Sequence, residues 1–450
     1  MSNPISRRQF VRTSSAMIGA LSTTPFNFNL LSHQKPGQEI KVAVMGVASR
    51  GKALANAFAA AKDCEVTYLC EVDSRYVAGA LEVVKPYQTN VPKVEKDLRK
   101  VLEDKEVDVL AIAAPDHWHA PAAIMALQAG KHVYVEKPCS HNPQEGEWLV
   151  QAARKYGGKV QMGNQRRSWS QVQACLQDIH VGLIGRVYYA NAWYVNNRQP
   201  IGRGKNMPVP QELDFDLWQG PAPRKPYQDN VHPYNWHWFW HWGTGESLNN
   251  GTHFLDLMRW GLQVDYPSLV VSTGGRYHYQ DDWETPDTQM ISLDFPGGKT
   301  MTWESRSCNT MPIHEDSAGI TFYGDGGSIV LGSGNAYTVY DNDRRPKEIK
   351  KVTEAMSKEA NPDAQNTYGP GLKYDIGHIE NFLASIRDGV PLNSEITGGQ
   401  KSVLLCQLGN IAYRTKSALH IDSSNGHILN NTEAQQYWGR DYAPGWKPKI

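Results

Sequence analysis

Short apolar runs alternate with helix-like stretches over residues 38–163. Each run is continuously apolar, which is typical of strands buried on both faces of a parallel sheet. The predicted strands are Ile40–Met45, Val66–Val72, Val107–Ala113, His132–Glu136 and Val160–Gly163. The predicted helices are Arg50–Ala61, Ser74–Val84, Ala120–Ala129 and Pro143–Tyr156. With right-handed crossovers, this order predicts a doubly wound, Rossmann-like α/β domain over residues 38–163.

The pattern changes after residue 163 to β-forming and alternating residues. Predicted strands are Val187–Val195, Leu269–Tyr277, Thr288–Phe295, Thr300–Arg306, Gly319–Tyr323 and Ser328–Leu331, and predicted helices are Ile376–Arg387 and Gln400–Lys416. Glycine-containing turns at 296–298 and 324–327 are typical of hairpins. We therefore predict a C-terminal α+β domain over residues 164–450 with a mostly antiparallel sheet. The stretch 198–234 is predicted to be a long loop, which is usually functional or mobile.

The N-terminus carries the twin arginines Arg7 and Arg8, followed by a mildly apolar run over 16–31. That run is too short and too rich in Ser, Thr and Asn to span a bilayer. It resembles a Tat signal segment over residues 1–34, without a clean A-x-A cleavage site; a disordered basic tail is the alternative. We expect export to the periplasm, or a cytoplasmic protein if the leader is not used. No other stretch predicts a membrane span.

Composition narrows the possible partners. The 46 basic and 46 acidic residues give a formal net charge of zero, so neither nucleic acid nor an anionic membrane is indicated. The six cysteines contain no CxxC pair, so neither a zinc site nor a disulfide framework is predicted. The 14 Trp and 21 Tyr residues are compatible with a sugar-binding cleft, although most aromatic residues simply pack in the core.

A glycine-rich turn joins the first predicted strand to the first predicted helix. Its predicted dinucleotide contacts are Gly46, Ala48, Ser49, Arg50 and Gly51. Such a turn lets the backbone approach a pyrophosphate at the helix N-terminus, although Ala48 stands where the fingerprint has its middle glycine. Glu71, about 20 residues on, is expected to bind the ribose hydroxyls and favour NAD over NADP. Arg50 and Arg75 could instead pair with the 2′-phosphate of NADP. The alternative to dinucleotide binding is that the turn is an ordinary glycine-containing turn of an α/β domain.

Two further motifs carry groups suited to proton transfer. Lys137, in Glu136-Lys137-Pro138, follows a predicted strand at the sheet edge where ligands bind. Its ammonium can stabilise an alkoxide on a substrate. Helical spacing over 246–262 places Asn249 and His253 one turn apart on one face, and His253 is the candidate general acid/base. The alternative interpretations are that Lys137 is an ordinary surface lysine, and that His253 is a buried histidine whose hydrogen bonds are satisfied by a neighbouring residue.

The order and spacing of these three motifs resemble the Gfo/Idh/MocA oxidoreductases, as do the segments at 115–119, 129–133 and 163–167. The resemblance covers residues 40–262 strongly and the remainder loosely. It implies that Lys137 and His253 are catalytic. It adds cofactor contacts at Asp116, His117 and Glu136, and substrate contacts at Asn164, Arg166, Arg167 and Asn249. It also implies that the second sheet forms a homodimer or homotetramer.

One position departs from the family pattern. The family's carboxylate in the third motif falls on Asn249. An amide orients a hydroxyl but is not a base at neutral pH, so proton transfer falls to His253 or Lys137.

Four tryptophans and two histidines alternate in the segment 236–242. As a strand or extended loop, the segment would place its four Trp on one face and His237 and His241 on the other. The interpretations are an aromatic wall that includes Trp240 at a sugar site, or a packed core segment. A metal at the two histidines is poorly supported because no third ligand is evident.

These features favour an NAD-dependent oxidoreductase acting by hydride transfer on a hydroxyl of a sugar, polyol or glycoside. The alternative is a redox-neutral glycosidase or lyase that recycles a tightly bound NAD. A non-enzymatic sugar-binding protein is a third hypothesis, against which the presence of both Lys137 and His253 argues.

Overall fold

The computed structural model describes residues 39–333, 336–343, 345–351 and 372–450. Its first sheet consists of β1 (Ile40–Met45), β2 (Cys64–Cys70), β3 (Lys93–Glu95), β4 (Val109–Ile112), β5 (His132–Val135) and β6 (Val160–Met162). The associated helices are α1 (Arg50–Ala60), α2 (Val77–Val84), α3 (Leu98–Glu103), α4 (Asp116–Gln128) and α5 (Pro143–Tyr156). The strands are parallel, in the order β3-β2-β1-β4-β5-β6. Because the strand order reverses between β1 and β4, a ligand crevice lies outside the carboxyl ends of the strands.

The prediction of a parallel, Rossmann-like sheet is confirmed, and two of its edge elements were missed. Strand β3 has three residues and an exposed, polar pattern, so no apolar run marks it. Helix α3 is short, with three buried side chains at Leu98, Val101 and Leu102. Helix α4 starts at Asp116, four residues before the predicted start, which places Asp116 in its first turn.

The second sheet contains β7 (Val187–Val195), β8 (Leu269–Gly275), β9 (Thr288–Phe295), β10 (Lys299–Arg306), β11 (Ala318–Gly324), β12 (Gly327–Leu331), β13 (Ala336–Tyr340), β14 (Pro346–Lys351), β15 (Leu419–Ile421) and β16 (Ile428–Leu429). In the described part of the chain, its order is β14-β13-β12-β11-β7-β10-β9-β8-β15-β16. The β7–β10 pair is parallel and the other pairs are antiparallel, as predicted for this region. The four strands from β13 to β16 were not predicted, since β14 is mostly charged and β15 and β16 are very short.

The remaining helices are α6 (Ser170–His180), α7 (Phe215–Gln219), α8 (Glu246–Asn249), α9 (Gly251–Leu262), α10 (Leu372–Asp388), α11 (Ile396–Thr415) and α12 (Thr432–Gln435). Helix α9 packs against β7, β10 and α11, and α11 also contacts α5 and β8. One hydrophobic cluster therefore runs from Leu110 and Ile112 under the first sheet to Trp303 under the second. The domain boundary near residue 163 stays a prediction.

The stretch predicted as a long loop over 198–234 has structure of its own. It contains α7, and with the residues that follow it forms a separate hydrophobic cluster. The buried members of that cluster are Leu213, Phe215, Trp218, Ala222, Val231, Trp236, Phe239 and Trp242. Most of the stretch is irregular, as predicted for a loop, but the prediction missed α7 and the packing of its aromatic residues, which scattered spacing along the sequence does not reveal.

The predicted signal segment, residues 1–34, lies outside the described residues. Over the ranges that the structure describes, no helix combines the length and the apolar character needed to cross a bilayer.

Candidate active site

A cavity of about 440 Å³ lies at the carboxyl edge of the first sheet. Among its lining residues are Gly46, Ala48, Ser49, Arg50, Glu71, Asp116, Glu136, Lys137, Asn249 and His253. These residues come from the turn after β1, the start of α1, the residue after β2, the first turn of α4, the two residues after β5, and helices α8 and α9. The three sequence motifs therefore meet in one cavity.

The glycine-rich turn is shaped for close approach. Gly46 has φ +78°, and a Cβ at that position would lie 2.8 Å from the Cα of Ala114. A Cβ at Gly51 would lie 1.6 Å from the carbonyl oxygen of Gly46, so only glycine fits there. The turn leads into α1, whose first-turn amides have no intrahelical acceptor. This cradle fits a dinucleotide pyrophosphate, and Ala48 is one of its lining residues.

Glu71 is buried at the end of β2 and holds the turn. Its Oε2 accepts a hydrogen bond from the Val47 amide at 2.6 Å, and its Oε1 accepts one from the Asp73 amide at 2.9 Å. Burial raises the pKa of Glu71, and the two hydrogen bonds from backbone amides act against that rise. Each carboxylate oxygen keeps a further lone pair for the hydroxyls of a ribose.

Arg50 and Arg75 are both occupied by carboxylates. Arg50 donates from Nε to Glu136 at 2.6 Å and from both terminal nitrogens to Asp375 at 2.6 and 2.9 Å. Arg75 makes a forked contact with Asp73. The alternative in which these arginines hold a 2′-phosphate is therefore disfavoured, because both guanidinium groups already have carboxylate partners.

Lys137 lies two residues after the end of β5 and faces Asn249. Its Nζ donates to the Asn249 carbonyl oxygen at 2.6 Å and to the Asn249 Oδ1 at 3.1 Å. Burial lowers the pKa of Lys137, while Glu136 and Asp116 act in the opposite direction. The ammonium is thus held in place by neutral oxygens.

His253 is a buried side chain in the first turn of α9, with 9% exposure. Burial lowers the pKa of His253 well below its ordinary value, and the charge on Lys137 adds to this effect. The ring is therefore neutral at physiological pH and has a nitrogen that accepts a proton. The predicted helix over 246–262 is interrupted at Asn250, which separates α8 from α9.

Asp116 lines the same cavity from the first turn of α4. Burial raises the pKa of Asp116, and the nearby His119 and the hydroxyl of Thr244, which donates to Asp116 Oδ2, act against this rise. His117 was expected beside it, but its ring does not line the cavity: Nε2 contacts the Trp218 carbonyl oxygen at 3.0 Å.

Four expected substrate contacts also lie outside the cavity lining. Arg167 forms a forked ion pair with Asp256 at 2.7 and 2.9 Å, and Arg166 lies over the rings of Trp169 and Phe254. Asn164 is almost fully buried, with 1% exposure. Trp240 lines a second, smaller cavity. Gln165, the neighbour of Asn164 and Arg166, lines the main cavity in their place.

The tryptophan segment does not form an extended strand. Residues 235–238 make a 3₁₀ turn, so the period-two arrangement of the side chains is wrong. Trp238 stacks on Trp283 with ring centroids 4.0 Å apart, whereas Trp236 and Trp242 join the separate aromatic cluster. His237 and His241 are each bonded to a backbone carbonyl oxygen. Among the described residues, no group of three or more His, Cys, Asp or Glu side chains is arranged to hold a metal ion.

Several cavity residues were not assigned to this site from the sequence. His119, His232, Tyr234, His237 and Asp375 all line the cavity. His119 lies in the motif segment 115–119, in which the family resemblance implies contacts at Asp116 and His117. Asp375 is 325 residues away from Arg50, so no local pattern reveals their contact.

Two family models match the chain. Residues 40–164 match the oxidoreductase family's NAD-binding Rossmann fold, and residues 211–400 match its C-terminal alpha/beta domain. Together with the fold and the cavity, these matches define an NAD-binding oxidoreductase-type fold. The chain belongs to the Gfo/Idh/MocA family, and NAD is its cofactor.

The curated relatives include a "Glycosyl hydrolase family 109 protein" of Saccharopolyspora erythraea, 28% identical over 44% of this chain and 48% of the relative. They also include an "Alpha-N-acetylgalactosaminidase" of Tannerella forsythia, 22% identical over 60% of this chain and 64% of the relative. The chain thus spans about half to two thirds of the length of these relatives.

Solved structures share the fold. Levoglucosan dehydrogenase in complex with NADH and levoglucosan is 20% identical, with a TM-score of 0.64 over 85% of this chain and 99% of that chain. The WlbA dehydrogenase from Bordetella pertussis in complex with NADH and UDP-GlcNAcA is 19% identical, with a TM-score of 0.62 over 86% and 99%. At these identities the likeness concerns the fold alone.

Proposed function

We propose that this protein oxidises a hydroxyl-bearing carbon of a sugar, polyol or glycoside by hydride transfer to NAD. The observation that carries the proposal is the meeting of Lys137 and His253 in the cavity that also contains the dinucleotide cradle. A binding protein needs neither a held ammonium nor a neutral buried imidazole at this place.

Different residues of the chain would bind the cofactor, stabilise charge and accept the proton. The turn at residues 46–51 and Glu71 would hold the dinucleotide, which when bound supplies the hydride acceptor. The Lys137 ammonium donates a hydrogen bond to the substrate hydroxyl and stabilises the oxygen as negative charge develops on it. The neutral His253 accepts the hydroxyl proton. Asn249 positions Lys137, and burial of these groups keeps water from competing for their hydrogen bonds.

A substrate screen tests this proposal. The purified chain is incubated with NAD and a panel of hexoses, polyols, anhydrosugars and glycosides, and NADH is followed by absorbance. We expect NADH formation with at least one carbohydrate. If no carbohydrate yields NADH or any other product, with NAD shown to be bound, the proposed hydride transfer is contradicted.

A second candidate is redox-neutral cleavage of a glycoside, in which the hydride returns to the sugar. The names of the curated relatives favour it. In this series of reaction steps, the carbon that bears the hydroxyl first loses a hydride, and the hydroxyl loses its proton. A base then removes the proton on the carbon next to the new ketone, and the aglycone leaves. Water adds to the resulting double bond, and return of the hydride restores the alcohol.

Two measurements separate the candidates. Redox-neutral cleavage turns over a chromogenic glycoside many times without added NAD, and solvent deuterium enters the sugar next to the transiently oxidised carbon. Simple dehydrogenation instead consumes one NAD for each substrate and incorporates no deuterium at that carbon.

We propose that NAD is preferred over NADP. Support comes from the carboxylate of Glu71, which lines the cavity directly after β2 and would repel a 2′-phosphate. Arg75, which is forked onto Asp73, has its guanidinium already paired.

We also propose that the second sheet forms a homodimer or homotetramer. Tyr188, Val271 and Met290, on neighbouring parts of that sheet, are 42%, 38% and 54% exposed. Light scattering of the wild-type chain and of Val271→Lys with Met290→Lys tests this proposal, because two charges on the contact should yield monomers.

Export through the Tat system is a further proposal, and it rests on Arg7 and Arg8. Replacing both with Lys should retain the precursor in the cytoplasm, as judged by cell fractionation. Equal export of the variant and the wild type would contradict it.

A further inference from the structure

His237 lines the main cavity, and none of the reaction steps assigned above uses it. It belongs to the 3₁₀ turn at residues 235–238, which packs against α8, the helix that carries Asn249. Its half-buried ring stacks on the ring of Trp236 with centroids 3.6 Å apart, and the centroid of the Tyr234 ring lies 4.4 Å away. The imidazole is therefore held in a defined position at the cavity by two aromatic side chains.

The hydrogen bond of this ring determines which of its nitrogens can accept a proton. Nδ1 of His237 lies 2.6 Å from the backbone carbonyl oxygen of Tyr234. A carbonyl oxygen only accepts hydrogen bonds, so Nδ1 carries the hydrogen and donates it. Burial lowers the pKa of His237 well below its ordinary value, so the ring is neutral near pH 7 and Nε2 carries a lone pair.

The lone pair of Nε2 is available to a molecule in the cavity. Within the described residues, Nε2 of His237 makes no hydrogen bond, and it is not among the side-chain atoms that are both fully enclosed and without a partner. Nδ1 of His253, in contrast, is enclosed in this way. His237 therefore presents one proton-accepting atom to the cavity that it lines.

The other proton acceptors of the cavity lining are already engaged within the described part of the chain. Each carboxylate of the lining accepts a hydrogen bond from a protein donor. Both ring nitrogens of His119 lie 2.6 Å from backbone carbonyl oxygens, and Nε2 of His232 lies 3.6 Å from a carboxylate oxygen of Asp73. In the proposed reaction, His253 takes the hydroxyl proton during oxidation, so it is already protonated when the ketone has formed.

Positive charges also act on the His237 ring. Besides burial, the charges of Lys137 and Arg198 lower the pKa of His237, so both cations lie near enough to influence it. Arg198 is buried, pairs with Glu246 at 2.6 Å and donates from Nη1 to the hydroxyl of Tyr234 at 3.2 Å. Positive charge at this place stabilises an enolate oxygen and thereby makes the carbon next to a ketone more acidic.

We propose that His237 is the base that removes the proton from the carbon next to the ketone during redox-neutral cleavage. This role rests on the second of the two functions proposed above. The C–H bond breaks, its proton goes to Nε2 of His237, and its electron pair forms the carbon–carbon double bond. The bond to the aglycone breaks, and the aglycone oxygen takes the electron pair of that bond and a proton from water. No hydride moves in this step.

Rapid-mixing kinetics separate this proton transfer from the oxidation that precedes it. The full chain loaded with NAD is mixed with phenyl glycosides of glucose, galactose and N-acetylgalactosamine, in both anomeric forms. Absorbance of bound NADH reports hydride transfer, and chromatography of quenched samples reports the released phenol. We expect His237→Gln to form bound NADH at nearly the wild-type rate and to release phenol at least about a hundredfold more slowly, within the usual range for a general base. Entry of solvent deuterium next to the ketone should fall by the same factor.

Two further variants show whether the loss comes from the base itself. His241→Gln is the matched control, because its ring also contacts a backbone carbonyl oxygen but does not line the main cavity. This control should release phenol at the wild-type rate. His237→Ala leaves space where the ring was, and added imidazole should restore phenol release in this variant. A residue that only supports the fold would not be replaced by free imidazole.

The outcomes distinguish this role from the proposed function. If the wild type cleaves a glycoside and His237→Gln releases phenol and exchanges deuterium equally fast, His237 is not the base, while redox-neutral cleavage stands. Equal losses of NADH formation and phenol release in both His237 variants, without rescue by imidazole, would also overturn the role, since they indicate a structural residue. If the wild type forms NADH and releases no phenol from any glycoside, redox-neutral cleavage itself is contradicted, and the role with it.

Discussion

Lys137 donates to both oxygens of Asn249, at 2.6 Å to the carbonyl oxygen and 3.1 Å to Oδ1. The partner is neutral, so the ammonium is hydrogen-bonded to amide oxygens, while the carboxylates of Glu136 and Asp116 act on it only through their charge. That arrangement keeps its charge available to a developing alkoxide.

Replacing Lys137 with Met should leave folding and NAD affinity nearly unchanged while reducing kcat. Loss of a transition-state donor typically costs on the order of 3–4 kcal/mol, or a hundredfold or more in rate. Steady-state kinetics with the substrate found in the screen, together with NAD titration, measure both effects. Lys155→Met, on the far end of α5, is the control. A wild-type rate in the Lys137 variant would remove this residue from the mechanism.

Asn249→Asp should raise the pKa of Lys137, because an adjacent opposite charge favours the ammonium. In the wild type, burial lowers this pKa, so loss of the ammonium produces the alkaline limb of kcat/KM. The limb should therefore move to higher pH in the variant. Asn249→Ser, which adds no charge, is the comparison. An alkaline limb at the same pH in the wild type and in the Asp variant would show that Lys137 does not titrate in that range.

His253 should set the acid limb of kcat/KM. The base form is lost as the pH falls through the pKa of His253, and burial places that pKa well below 6.5. Activity should therefore persist below pH 6.5 before it declines. His253→Gln should abolish the limb and reduce the rate by roughly 10²- to 10⁴-fold, the usual worth of general base catalysis. His420→Gln, on the exposed side of β15, should retain the wild-type profile.

Glu71→Ala should weaken NAD binding and relax discrimination against NADP. A hydrogen bond to a charged group contributes about 1.5–3 kcal/mol, so we expect NAD affinity to fall by roughly ten- to hundredfold. Fluorescence titration with NAD and NADP measures both affinities, and Glu82→Ala on α2 is the control. An unchanged ratio of the two affinities would show that Glu71 does not contact the ribose.

Asp375→Asn should destabilise the fold, because it removes one of two carboxylates from Arg50. Asp375 is 3% exposed and Arg50 27%, so the cost is on the order of 3 kcal/mol in the free energy of unfolding. Asp343→Asn, in an exposed pair with Arg345, should change stability by no more than about 0.5 kcal/mol. Urea denaturation compares the two variants. Equal midpoints would mean that the buried pair contributes no more than the exposed one.

The amino-acid sequence determined the elements whose signal is local. Continuous apolar runs predicted the positions of β1, β4, β5 and β6, because a strand that is covered on both faces is apolar at nearly every position. Once the sheet is parallel, its topology places the ends of successive strands at one edge. That rule brings the turn after β1, Glu71 and Lys137 together without any knowledge of distant contacts.

The contacts between distant polar side chains depend on how the elements pack. Arg167, which was expected to contact the substrate, forms an ion pair with Asp256. Arg50 bonds to Asp375, which lies 325 positions away in the sequence. Trp240 lies in the second cavity and not on the wall of the main one. Periodicity reports which face of an element is apolar, but it carries no information about the element packed against that face. The partners of long charged and aromatic side chains follow from that packing, and so they become visible only in the folded chain.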